Sequence, residues 1–252
     1  KPSPKTPLCA IAVQHLCNHI MEQQGYPGVF SLFITEQPSL AETMVRDPRL
    51  PLISFTGSVA VGRHVAALVG GRLGRTLLGL SGNNAVVVGG SADLDLAVRA
   101  IVFGAVGTAG QRCTTTRRVL VHESRGEDLL DRLVKAYKQV RIGNPLDADV
   151  LLGPLIDHVA VETYRAAIDE IKKEGGDILC GGRVLNRPGY FVEPTIVRAR
   201  PDWPLVQRET FAPILYVLTY RTLDEALAMQ NGVPQGLSSA MFTNNLRHGE
   251  RF

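Results

Sequence analysis

Apolar residues along the chain follow two alternating patterns, helical stripes at three-and-four spacing and short continuous runs. The first stripe follows Thr6 and Pro7, a helix-start signal, and carries Leu8, Ile11, Ala12, His15, Leu16 and Ile20 before stopping near Gly25. Cys9 and Cys17 fall inside this stripe and are expected to be small core residues. Residues 28–34 form an apolar run of strand type, 39–45 a second helix ended by Pro48, and 52–55 a buried strand. Thr56-Gly57-Ser58 then opens a helix containing Gly62. Further on, the pattern predicts strands at 85–88, 119–121, 214–220 and 237–242. It predicts helices at 93–107, after 124–127 (a capping-box pattern), around Val161, Tyr164, Ile168 and Ile171, and at 223–229. Gly175 suits a helix C-cap. Helices alternating with short apolar strands imply an α/β fold of parallel βαβ units with helices on both faces.

Composition changes this picture by exclusion. The chain carries 27 Lys+Arg against 24 Asp+Glu, a net charge of +3, without the basic stripe of a nucleic-acid binder. The densest basic groups, Arg117-Arg118 and Lys172-Lys173, read as solvated faces. Four cysteines (Cys9, Cys17, Cys113, Cys180) match neither a zinc site nor a disulfide framework and fit a reducing compartment. No run approaches the roughly 18 apolar residues of a membrane span. Residues 1–5 lack the apolar core of a signal peptide. The expectation is a soluble, cytoplasmic protein with no metal, no membrane and no nucleic-acid partner.

Candidate chemistry begins at Gly107-Thr108-Ala109-Gly110-Gln111-Arg112-Cys113-Thr114-Thr115-Thr116. A predicted helix ends in glycines, and a cysteine follows between a cation and hydroxyls. Glycine permits close backbone approach to a ligand, and Arg112 favours the thiolate, the reactive form. A lone cysteine is nevertheless more often packed than reactive. In Phe55-Thr56-Gly57-Ser58-Val59-Ala60-Val61-Gly62, a strand, a glycine turn and a helix N-terminus suit a pyrophosphate, although a tight helix–strand contact accounts for it equally well. Arg208-Glu209-Thr210-Phe211-Ala212-Pro213 reads by itself as a loop acid and a core aromatic before a strand.

Taken together these strings have a precedent. Gly110-Gln111-Arg112-Cys113 resembles the catalytic-cysteine signature of the aldehyde dehydrogenase superfamily. Residues 106–118 resemble its antiquitin branch, the α-aminoadipic semialdehyde (piperideine-6-carboxylate) dehydrogenases, and the resemblance runs in family order over essentially all 252 residues. It implies NAD(P)-dependent oxidation of a small aldehyde, a semialdehyde, to its acid. Cys113 is then the nucleophile, and its backbone N–H is an oxyanion donor. The resemblance places Gly57 and Ser58 in the cofactor loop and Lys1 and Ser3 in the segment that bonds the adenosine ribose. It also has Glu209 hold the nicotinamide ribose and Phe211 pack near the ring. NAD is the cofactor the resemblance implies, and because Pro4 stands where family members often carry a ribose-gripping glutamate that disfavours a 2′-phosphate, NADP stays open. Gly153-Pro154-Leu155-Ile156, 189–195 and 236–239 fit the family as structural turns. Full-length members are expected to be homo-oligomers.

One departure concerns catalysis. The family reads Leu-Glu-Leu-Gly-Gly-Asn-Asn where this chain has Leu78-Gly79-Leu80-Ser81-Gly82-Asn83-Asn84. That glutamate is the usual general base, so its position is occupied by Gly79, and loss of such a base costs ~10²–10⁴-fold. Family subunits are also considerably longer, so the chain is expected to be an internal fragment with both domains truncated. Residues 1–78 would be the second part of a Rossmann-like NAD(P)-binding domain, and 79–252 most of the α/β catalytic (cysteine) domain. The rival expectation is a catalytically inactive or truncated protein of this fold with a structural or assembly role. A cysteine hydrolase would need a histidine base, and none of the six histidines lies in a motif.

Overall fold

In the computed structural model, which describes residues 1–252, the chain divides into two units, Lys1–Leu80 and Ser81–Phe252. In the first, α1 (Pro7–Gln23) starts with its proline and ends in a left-handed turn at Gly25. None of its residues is buried and Leu8 is 78% exposed. Cys9 is exposed and Cys17 only half-buried, so neither is the core residue the stripe suggested. The run 28–34 makes no strand: Gly28 is left-handed and most of the run stands exposed. A strand exists only where a neighbouring backbone takes up its hydrogen bonds, and none pairs here.

α2 (Pro38–Arg46) leads to β1 (Leu52–Thr56), α3 (Val59–Gly71) and β2 (Arg75–Gly79). β1 and β2 pair in parallel, with Thr56 opposite Gly79. Only Ile53 of β1 is buried, not the whole strand as its sequence suggested. β2, Arg75-Thr76-Leu77-Leu78-Gly79, shows neither alternation nor a full apolar run and was not legible as a strand. A small core of Val45, Ile53, Val65 and Val69 joins α2, β1 and α3.

The second unit runs β3 (Asn84–Val88), α4 (Leu94–Val106), β4 (Thr116–His122), α5 (Gly126–Tyr137), α6 (His158–Lys173), β5 (Asp177–Cys180), β6 (Thr195–Arg198), α7 (Pro204–Gln207), β7 (Ile214–Tyr220), α8 (Leu223–Asn231), β8 (Ser239–Phe242) and α9 (Leu246–Arg251). Its six-stranded sheet has the order β5-β6-β7-β4-β3-β8. Every pairing is parallel except β5 with β6 at one edge. The central strands are buried along nearly their whole length, and β3, β7 and the middle of β4 are mostly apolar, as in sheets covered on both faces. α6 buries Val161, Tyr164, Ile168 and Ile171, and Gly175 closes it with φ +73°. The capping box at 124–127 does not form. The Ser124 N–H donates to His122 Nδ1 at 3.3 Å, and α5 starts after Arg125 without a side-chain cap. The His122 ring has taken the serine that the pattern assigned to the helix. No helix is long and apolar enough to cross a membrane.

The pair Arg117-Arg118 contradicts the solvated-face reading: the residues are 1% and 2% exposed. Arg118 donates through Nε and Nη2 to Asn83 O (3.0 and 2.8 Å). It also reaches Met229 O (Nη1, 2.7 Å) and Gln230 O (Nη2, 3.2 Å) in the last turn of α8. A helix C-terminus offers carbonyls without intrahelical donors and a partial negative charge, and these replace the water lost by the guanidinium. Burial still pushes its pKa down to about 10, so it is charged at neutral pH. Arg118→Met is expected to leave those carbonyls unpaired and lower unfolding free energy by about 3 kcal/mol. The shift in urea midpoint at unchanged slope would measure it; an unchanged midpoint would contradict this account.

Candidate functional site

The segment between α4 and β4 is built on left-handed backbone. Thr108 (φ 56°) and Ala109 (φ 52°) follow one another in that region, and Gly110 adds φ +71°. For a β-branched residue this is a genuine outlier; such strain costs about 1–3 kcal/mol per residue and persists only where surroundings impose it. The surroundings here are specific. The Gln111 amide donates to Thr108 O and Pro154 O (both 3.3 Å) and accepts from Ile156 N (2.9 Å), tying the turn to the 153–156 segment. A Cβ on Gly110 would lie 2.4 Å from the backbone of Ala212, so only glycine fits there.

Cys113 follows in a turn closed by Arg112 N donating to Thr115 Oγ1 and Thr115 N donating to Arg112 O, each 3.1 Å. The thiol is free and half-buried. Asn84 Nδ2 donates to Cys113 O (2.7 Å) and Thr115 O (2.8 Å), while its Oδ1 accepts from Ser238 N (3.0 Å). Gly82 lies so close that a Cβ there would come within 2.5 Å of Cys113 O. The cysteine backbone is therefore pinned through its carbonyl, and no acceptor within the chain engages its N–H. The Arg112 side chain, expected to favour the thiolate, is committed elsewhere: Nη2 donates to Phe103 O (3.0 Å) and the guanidinium lies over the Phe103 ring at 5.2 Å.

The cation that links the predicted residues of this unit is Arg117. Its Nη2 meets Glu209 Oε1 at 3.0 Å and its guanidinium lies 5.2 Å from the centre of the Phe211 ring. Burial pushes the Arg117 pKa down, and the charge of Glu209 and the hydrogen bond to it oppose that shift. Glu209 keeps a small exposure, 13% of its side chain, and Phe211 is 43% exposed. Cys113, Glu209 and Phe211 are thus gathered by one residue that sequence reading had assigned to solvent. Asn84 and Gln111 carry no signal of their own in the sequence beyond the motifs that contain them. The available signal was two adjacent arginines opening an apolar strand, a position that solvent does not usually reach.

In the first unit, Ser58 caps α3, its hydroxyl accepting from Val61 N at 3.4 Å, and stays exposed. Gly57 N donates to Gly79 O at 3.1 Å, bringing Gly57, Ser58 and Gly79 to the same end of the β1–β2 pair. A Cβ on Gly57 would lie 2.6 Å from the Phe55 ring, and one on Gly79 3.1 Å from Thr56 Oγ1. Lys1 is exposed, and Ser3 opens an exposed turn ahead of α1, where Ser3 Oγ accepts from Lys5 N (3.3 Å) and Ser3 O from Thr6 N (3.2 Å).

Comparisons with known proteins agree with one another. A family model described as the aldehyde dehydrogenase family matches residues 1–252. Aldehyde dehydrogenase family 7 member B4 of Arabidopsis thaliana is 47% identical over 97% of this chain and 48% of its own length. Aldehyde dehydrogenase family 7 member A1 of Pisum sativum is 49% identical over 96% of this chain and 48% of its own length. The α-aminoadipic semialdehyde dehydrogenase of Bos taurus is 47% identical over 98% of this chain and 46% of its own length. The chain therefore spans about half the length of these curated relatives. Among solved structures, a betaine aldehyde dehydrogenase point mutant from Staphylococcus aureus in complex with NAD+ matches with TM-score 0.93 at 30% identity, covering 99% of this chain and 51% of that one. Lactaldehyde dehydrogenase from Escherichia coli matches with TM-score 0.88 at 32% identity, covering 92% and 50%.

Replacing Gly110 by alanine tests the turn. The new methyl group meets backbone at φ +71°, so the expected loss is about 3 kcal/mol, strain and overpacking combined. A thermal melt reads it; a transition within one degree of the parent protein would mean that the turn relaxes freely.

Proposed function

The chain belongs to the aldehyde dehydrogenase family, and from that premise we propose that it carries the nucleophile and part of the cofactor site of an NAD(P)-dependent dehydrogenase acting on a small semialdehyde. The single observation that carries this reading is the Cys113 turn: a free, half-buried thiol on a backbone held by Asn84 and Arg117. Residues 1–78 are read as the second part of the cofactor-binding domain and 79–252 as most of the catalytic domain.

Each residue has a distinct task in this reading. The Cys113 thiolate attacks the aldehyde carbon, forming a C–S bond and an oxyanion; the free Cys113 N–H donates to that oxygen. NAD(P), held by the residues described below, would supply the hydride acceptor, and loss of hydride from the aldehyde carbon would leave Cys113 carrying a thioester. Water then displaces the thiol and releases the acid.

The cofactor fits the residues present. An exposed, capped helix N-terminus at Ser58, following Gly57 with no side chain in the way, suits a pyrophosphate. The second carboxylate oxygen of Glu209, not engaged by Arg117, is available to a ribose hydroxyl. Lys1 and Ser3 would take the adenosine ribose, and Phe211, exposed over Arg117, would pack near the nicotinamide.

Gly79 sets the expected kinetics. Water attack needs a base within hydrogen-bond reach, and glycine has none, so the thioester is expected to accumulate. In a subunit of the relatives' length carrying Gly79, stopped-flow absorbance with α-aminoadipic semialdehyde should give at most one rapid equivalent of NADH, then turnover slowed ~10²–10⁴-fold. Mass spectrometry of the quenched protein should find the acyl group on Cys113. Gly79→Glu with Ser81→Gly should restore multiple turnovers. Equal steady rates for the two proteins would mean that another residue supplies the base, and absence of any NADH burst would remove the functional reading.

A further inference from the structure

Arg117 spends its whole hydrogen-bonding capacity inside the protein. Nε donates to Gly82 O (3.3 Å), Nη1 to Gly110 O (3.2 Å) and Thr210 O (2.7 Å), and Nη2 to Arg112 O (3.1 Å) and Glu209 Oε1 (3.0 Å). A guanidinium has five N–H donors in a rigid fork, and all five are occupied. The acceptors come from three stretches far apart in sequence: Gly82, the turn leading into Cys113, and residues 209–210. We propose that Arg117 is a positioning residue that holds the Cys113 turn and the Glu209 carboxylate in one arrangement, so that nucleophile and ribose grip are set by a single side chain. The assignment of Glu209 to the ribose rests on the function proposed above; the linkage of the two turns does not.

The backbone supports this role. Asn84 of β3 lies opposite Thr116 of β4, but the next residue, Ala85, lies opposite Arg118. Arg117 is thus the extra residue of a bulge. Bulges re-aim a side chain, and this one takes Arg117 out of the β3–β4 register while Thr116 and Arg118 stay in it. The bulge places the guanidinium at the mouth of β4, beside the turn that precedes it. Lysine, with three donors on one flexible nitrogen, cannot bridge the same acceptors.

The test compares the parent chain with Arg117→Lys, Arg117→Met and Glu209→Gln. Hydrogen exchange is followed in peptides covering 107–115 and 207–213, with α6 as reference. Affinities for NAD and for ADP are measured by calorimetry. Arg117→Lys is expected to speed exchange at least about tenfold in both turns, leave α6 unchanged, and weaken NAD about tenfold, equivalent to roughly 1.4 kcal/mol, with ADP within about twofold. Combining it with Glu209→Gln should add little further loss of NAD affinity, because the two act through one contact. Faster exchange in only one turn, or in neither, overturns the linkage. Equal weakening of NAD and ADP means a fold-wide defect and also overturns the positioning role. If Arg117→Met does not fold, Arg117→Lys keeps the charge and Glu209→Gln removes only the negative charge of one partner. If the parent chain binds neither nucleotide, the affinities are measured in a subunit of the relatives' length, where failure to bind NAD removes the reading of Glu209, and the exchange of the two turns decides separately whether Arg117 links them.

Discussion

A guanidinium withdrawn from water is tolerated only where acceptors replace its hydration, and at Arg117 that demand organises the reactive end of the sheet. Leaving one N–H unpaired would cost more than the bond itself contributes. The Gly82, Gly110, Arg112 and Thr210 carbonyls must therefore converge, and the 3.0 Å contact with Glu209 supplies the one negative charge among the partners. Arg118, the next residue, meets the same demand differently, with carbonyls alone and the C-terminal end of α8 as its counter-charge. Each arginine joins the start of β4 to a segment about a hundred residues away in sequence, so the sheet and the turns around Cys113 are cross-braced by charge-assisted bonds.

That bracing explains how a strained turn survives. Left-handed Thr108 and Ala109 would relax in an isolated peptide. Here Gln111 docks on the 153–156 segment, Gly110 sits against the Ala212 backbone, and Asn84 grips the carbonyls of Cys113 and Thr115. The outcome is a thiol carried on fixed backbone with its N–H unengaged, the arrangement an oxyanion donor requires. Arg112, adjacent in sequence, contributes through Phe103 instead, stacking on its ring and bonding its carbonyl.

The two units differ in how well their own residues satisfy them. The second encloses an extensive core of branched aliphatic residues on a mostly parallel sheet. The first holds four buried hydrophobic residues, a two-stranded sheet and a helix, α1, with no buried residue. A helix stripe specifies which side wants burial, but burial itself depends on a surface to pack against. That is why Cys9 and Cys17 lie outside any core although their spacing fits one.

Local pattern by itself determined most of the regular elements. The stripes of α5 and α6 and the apolar runs of β3, β4 and β7 stand where the pattern predicts them, because a buried face leaves a period in the sequence whatever packs on it. The α/β class followed from the same evidence, and the family from the resemblance carried by the motif around Cys113. Tertiary structure alone decided what depends on a partner distant in sequence. β2 exists because β1 is beside it, 28–34 is not a strand because nothing is, and Ser124 serves His122 and not the helix. Above all, Arg117 and Arg118 read as a solvated charge pair until the bulge and the carbonyls of remote turns are in place. Charge says that a residue needs polar partners, and only the folded chain determines whether those partners are water or protein.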